Sequence, residues 1–159
     1  MRRAWAIPAI ALAVGHAALL TAGGGDVAVV VNGANRMDSI SSKDLKQMFA
    51  GEKTRWPDGG KVQLLATNSA MPEHKIAIRF LFGMSEAEYE KYCLHASFAG
   101  EAQKAPRDAG PSISVAGMVA ALPGALGFVR AGFVIAGVKV LKIDGLKPGD
   151  PGYPLSEGK

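Results

Sequence analysis

With 159 residues and a formal net charge of +4 at pH 7, the chain is sized for one domain with its own core. Arg2 and Arg3 carry part of that charge; the other 16 basic residues, against 14 acidic ones, are scattered and not interleaved with aromatics, which argues against nucleic-acid binding. Twenty glycines and nine prolines point to many short connections, and the single cysteine, Cys93, excludes an intramolecular disulfide.

Arg2-Arg3 followed by the apolar run Ala4 to Leu20 has the form of an export signal, and Thr21 to Gly25 supplies small residues for cleavage. Ala22 and Gly24 fit the −3 and −1 positions, so residues 1–24 are expected to be removed and the mature chain to start near Gly25 in the periplasm. The competing reading is an uncleaved anchor, but 17 mildly apolar residues broken by Pro8, Gly15 and His16 are short of the ~20 that a spanning helix needs. No cysteine lies near the cleavage point, so lipid attachment there is excluded.

Val27 to Asn32 is a β-branched apolar run, expected as a strand covered on both faces. A short helix should follow from Ser41: Ser41 as N-cap with Asp44 completing a capping box, Ile40 stapled to Leu45, and Leu45, Met48 and Phe49 on one apolar face. Gly51 stands where a left-handed residue ends such a helix. Trp56-Pro57-Asp58-Gly59-Gly60 is turn chemistry, and Val62 to Ala66 reads as a mostly buried strand.

Pro72 fits the first position of a helix whose apolar face is Ile76, Ala77, Phe80 and Leu81, widened by Ile78 and Phe82 and closed by Gly83. Ser85 and Glu88 form a capping box for the next helix, with Met84 and Tyr89 as its staple and Tyr89, Tyr92, Cys93 and Ala96 as its inner stripe. Cys93 on that stripe reads as a packed thiol. Val115, Met118, Val119 and Leu122 mark a further helix, and 125–129 and 137–143 read as strands. From Asp144 the Gly/Pro-rich sequence reads as an extended tail over 144–159, leaving 25–143 as the folded domain. Strands separated by helices make this an α/β fold with a short mixed or parallel sheet.

Asp44 to Lys53, followed by Trp56, Asp58 and Gly59, resembles the "helix, F-x-G-[KR], W-x-D-G" signature of phosphate ABC transporter substrate-binding proteins. Phe98-Ala99-Gly100 before Pro106 agrees, and Leu122 to Val129 is similar to that family's "PGAIGYV". The resemblance runs from about Val27 to Val129. It implies one lobe of a type II periplasmic binding protein, an oxyanion ligand such as phosphate, and a membrane transporter as partner.

The candidate ligand site is Thr67, Asn68, Ser69 and Ala70, a polar loop at the carboxyl end of a strand and just before the Pro72 helix. N–H groups at a helix start attract anions, and two hydroxyls and an amide add hydrogen bonds. The alternative is that Ser69 or Asn68 caps the helix, and one loop can do both. The family's loop resembles "R-x-D-G-S-G-T". Aligned from the strand, Ala66 stands at the Arg position, Asn68 at the Asp, and Ala70, Met71 and Pro72 at Ser, Gly and Thr. A shift of one residue brings in no Arg, and Glu73 adds a negative charge in the first turn.

His74 and His95 lack ligand spacing and acidic or cysteine companions, so no metal or other cofactor is expected. No nucleophile elbow or phosphate-binding P-loop is present, Cys93 and His95 lie on different helical faces, and no catalytic residue is expected. Lys43, Lys46 and Lys53 read as a solvated face. Two functions remain open: a weak small-oxyanion-binding module associated with ABC transport, or an adaptor that has lost its ligand and docks on a transporter, sensor or other envelope protein.

Overall fold

The computed structural model describes residues 25–101 and 105–157. The expected export signal, residues 1–24, lies outside them. A five-stranded mixed sheet runs in the order β4-β3-β5-β1-β6, built from β1 (Val27–Asn32), β3 (Gln63–Ala66), β4 (Arg107–Asp108), β5 (Ala125–Arg130) and β6 (Val138–Val140). β3 is parallel to β4 and β5, while β1 is antiparallel to β5 and β6. A two-stranded parallel pair, β2 (Ser39–Ile40) with β7 (Lys142–Ile143), stands beside it. Residues 137–143 are therefore two strands in different sheets rather than one.

Every residue of β1 is buried, and alternation explains why. Val27, Val29 and Val31 join one apolar cluster with Leu45, Met48, Phe49, Leu126 and Phe128, whereas Ala28 and Val30 join another with Leu65, Val115, Ala116 and Val119. The first cluster is covered by α1 (Ser42–Phe49) and α2 (Pro72–Phe82), the second by α4 (Ser112–Ala121). Gly127 on β5 lets α4 approach: a Cβ there would meet Val115 at 3.2 Å and the Leu65 carbonyl at 3.1 Å.

Ser41 caps α1, its side chain accepting from the Asp44 N–H at 3.0 Å, and Gly51 has the left-handed φ of 75°. The Asp44 carboxylate does not close a capping box; it pairs with Lys53 at 3.0 Å. The Trp56 turn is more than a turn. The indole is buried and its Nε1–H donates to the Gly124 carbonyl at 3.1 Å, joining the turn to the start of β5. Lys46 lies over the Phe80 ring at 4.8 Å, so that lysine face is partly packed.

α3 (Glu86–Phe98) begins with the expected capping box between Ser85 and Glu88. Its inner stripe is narrower than periodicity implied: Tyr89 alone is buried, Cys93 is half-buried and Tyr92 is exposed. The helix packs chiefly against α2 rather than the sheet, so only one turn of its face meets apolar atoms. On α2 the buried stripe is His74, Ala77, Ile78 and Leu81, rotated from the expected face, with Ile76, Phe80 and Phe82 half-buried.

The segment from Asp144 is not a free tail. It returns to β1, where the Val27 N–H donates to the Leu155 carbonyl and the Tyr153 hydroxyl donates to the Val27 carbonyl. Tyr153 and Leu155 are fully buried in the first cluster. Gly/Pro-rich sequence here encodes tight turns that deliver two anchor residues. Among the described residues no helix is long and apolar enough to cross a membrane.

Candidate functional site

β3 and β4 are parallel, so both carboxyl ends open on the same edge. The loops beyond them stay zipped: the Ala109 N–H donates to the Ala66 carbonyl at 2.9 Å and the Asn68 N–H to the Gly110 carbonyl at 3.0 Å. This sets the starts of α2 and α4 side by side. Neither expected cap operates, because the N-cap of α2 is Met71, without a side-chain bond, and Pro72 occupies the first turn. The Met71 N–H instead donates to the Asn68 carbonyl.

Thr67, Asn68, Ser69 and Ala70 do form this loop, but they divide. Thr67 is buried and Asn68 half-buried, and among the described residues neither Thr67 Oγ1 nor Asn68 Oδ1 has a partner. Ser69 and Ala70 are exposed. A cavity of about 200 Å³ adjoins them, lined by Thr67, Ser69, His74, Glu86, Glu90 and Asp108. Among the described residues neither Lys nor Arg lines it. Its three carboxylates set a negative potential against an anion.

His74 is buried in this wall, its Nδ1 2.7 Å from Glu86 Oε1, with its ring edge on to Tyr89. Burial, with Cys93 and Tyr92 alongside, pushes the Tyr89 hydroxyl well above its ordinary pKa. Asp108 closes its own turn by accepting from the Gly110 N–H at 2.8 Å.

Sequence reading missed the polar junction between the two helix starts. Glu73, in the first turn of α2, is buried and accepts from the hydroxyl of Ser112, the first residue of α4. That hydroxyl accepts in turn from the Arg130 N–H at 2.9 Å. A carboxylate of the chain itself thus sits at the positive end of α2, where a free anion would otherwise gain most. Its only sequence signal was an acidic residue in a first turn.

The chain matches no protein-family model, and no curated protein is detectably similar to it. Solved structures are similar. One is a phosphate ABC transporter substrate-binding protein of Clostridium perfringens with bound phosphate (14% identity, TM-score 0.62), of which 46% is covered by 77% of this chain. Another is an ABC-type phosphate transport receptor of Vibrio cholerae (18% identity, TM-score 0.61), of which 48% is covered by 77% of this chain. PstS of Borrelia burgdorferi follows, at 12% identity and TM-score 0.57, with 49% of it covered. The chain spans about half the length of these proteins. Its fold, a mixed sheet between helices, is the α/β fold of phosphate-type substrate-binding proteins.

Proposed function

We propose that the chain is an exported, non-enzymatic ligand-binding module of the transport-associated kind, with Thr67 to Ala70 as its ligand edge and a weak affinity for phosphate or another small oxyanion. The observation that carries this reading is that the loop lies at the carboxyl ends of β3 and β4, with the Thr67 hydroxyl, which can donate to an oxyanion, left without a partner among the described residues. The affinity is weak because the donors are neutral, Glu86, Glu90 and Asp108 line the same cavity, and Glu73 holds the first turn of the helix that follows. With neutral donors only, the dissociation constant is no tighter than about 1 mM. At ~10 mM phosphate this gives ~1.4 kcal/mol of stabilisation, a melting rise of about 4–6 °C for a domain of this size.

Phosphate also stabilises folds by exclusion from their surfaces. The test therefore compares wild type with Asn68→Ala/Ser69→Ala at matched ionic strength and against sulfate. A saturating rise lost in the double variant supports the loop; equal, unsaturating rises in both remove it.

A second reading is favoured by α3. Leu94 and Phe98 are 57% and 83% exposed, an apolar surface suited to docking on a transporter, sensor or other envelope protein. In that reading the chain is a periplasmic adaptor whose ligand chemistry has been lost. Retention of an envelope partner after Asn68→Ala/Ser69→Ala, and its loss after Leu94→Ser/Phe98→Ser, separates it from the first.

A further inference from the structure

The charge around β3 is divided between its two ends. A cavity of about 300 Å³ lies toward the strand's start, near the Trp56 turn and the end of α4, and its charged lining residues are Lys53, Lys61 and Arg107. Among the described residues no carboxylate lines it. Arg107 and Asp108 are neighbours on β4, yet one lines this cavity and the other the acidic one beside Thr67. Alternation along the strand turns the two side chains to opposite faces of the sheet, which lets neighbours serve different cavities.

Lys53 is already neutralised by Asp44 at 3.0 Å. Lys61 and Arg107 have no ion pair among the described residues, so two positive charges flank the cavity without compensation. The uncharged lining is mixed: Thr54 and Gln63 are polar, while Met48, Val62 and Leu65, which are buried, and Leu64 and Leu122, which are half-buried, form an apolar floor. Cations over an apolar floor select a ligand with an anionic head and a short hydrocarbon body. Inorganic phosphate uses only half of such a site, because it gains nothing from the floor.

We propose that this basic cavity is a binding site for small organic anions, of the short-chain carboxylate class, distinct from the Thr67–Ala70 loop. Lys61 and Arg107 hold the carboxylate, Arg through paired N–H donors, while the hydrocarbon lies on Met48, Leu64 and Leu122. The site is independent of the oxyanion reading, since it shares no residue with that loop.

The test is amide-resolved NMR titration of the domain with hexanoate at constant ionic strength, with 1-hexanol as the neutral control carrying the same tail. Saturating shifts centred on Thr54, Lys61 to Leu65 and Arg107 are expected, weakened about tenfold or more in Lys61→Gln/Arg107→Gln. That variant should melt as wild type does, both side chains being exposed. Hexanol binding as tightly as hexanoate, shifts that never saturate, or equal affinity in the variant would each overturn the proposal. Hexanoate shifts confined to Thr67–Ala70 would overturn it too, while supporting the loop; phosphate shifts at that loop leave the two sites separately assessed.

Discussion

The hydroxyl of Tyr153 donates to the carbonyl oxygen of Val27 at 2.7 Å, joining positions 126 residues apart in a fully buried contact. Tyr153→Phe keeps the ring but leaves that carbonyl short of a partner, and about 1 kcal/mol of stability should be lost. Tyr153→Ala also empties ring volume and should cost about 3–5 kcal/mol. Urea unfolding with an unchanged m-value checks both, and a chain ending at Asp144 should fail to unfold cooperatively.

Gly124 should tolerate no side chain. A Cβ there would collide with the Lys61 carbonyl, while the Gly124 carbonyl already accepts from Gln63 at 3.0 Å and from the Trp56 indole. Gly124→Ala is expected to cost about 1–3 kcal/mol by overpacking. Thermal melting measures the loss, and a red shift of Trp56 emission reports the displaced indole.

The Glu73–Ser112–Arg130 junction makes opposite predictions for its two side chains. Glu73→Gln keeps an acceptor for the Ser112 hydroxyl and should change the melting temperature little, yet phosphate affinity at the loop should rise as the negative charge leaves. Ser112→Ala strands both the Glu73 carboxylate and the Arg130 N–H, and should cost about 1–3 kcal/mol. Calorimetric titration and denaturant unfolding of the two variants read these effects independently.

Acid and alkali should act through different groups. Lys139 beside Asp38, Lys53 and the Ser41 hydroxyl at Asp44, the Ser85 N–H and hydroxyl at Glu88, and the Ser42 hydroxyl and N–H at Asp144 each hold a carboxyl below its ordinary range. A folded-state pKa that is depressed stabilises above the unfolded value, so this contribution is present at neutral pH and fades as pH falls below about 4. Burial pushes the Tyr153 hydroxyl up, with Asp26 adding to it, as it does Tyr89. A raised pKa stabilises below the unfolded value, so stability should fall above about pH 10. Melting temperature against pH should show both slopes, and Tyr153→Phe should flatten the alkaline one.

Local chemistry was the legible part of the sequence. Ser85 with Glu88, Ser41 with Asp44, and Gly51 and Gly83 at left-handed φ all act within one turn of themselves. The buried run of β1 was also readable, since the apolar run Val27 to Val31 suits a strand packed on both faces. What escaped depends on distant partners. Nothing near Tyr153 signals that Val27 awaits it, and nothing near Glu73 signals Ser112. The stripe of α3 was overread because periodicity gives the apolar face of a helix but not the width of what covers it.

That same width makes a prediction. Leu94→Ser and Phe98→Ser lie outside the contact with α2, and each should shift stability by no more than about 0.5 kcal/mol. Tyr89→Ala, on the covered turn, should cost about 3–5 kcal/mol. Parallel urea curves for the three variants test the difference.

The strand synthesised first among the described elements is the one that finishes the sheet. β1 lies between β5 and β6, with Val27 opposite Arg130 and bonded to Leu155. Each of these pairings closes a loop of roughly a hundred residues before any native contact rewards it, which places folding in the slow, non-local regime. Until the chain beyond Ala125 exists, Val27 to Asn32 has no native neighbour in the sheet. β1 therefore stays unpaired through most of synthesis, while the helices, their local contacts and the β3–β4 pairing can form before it.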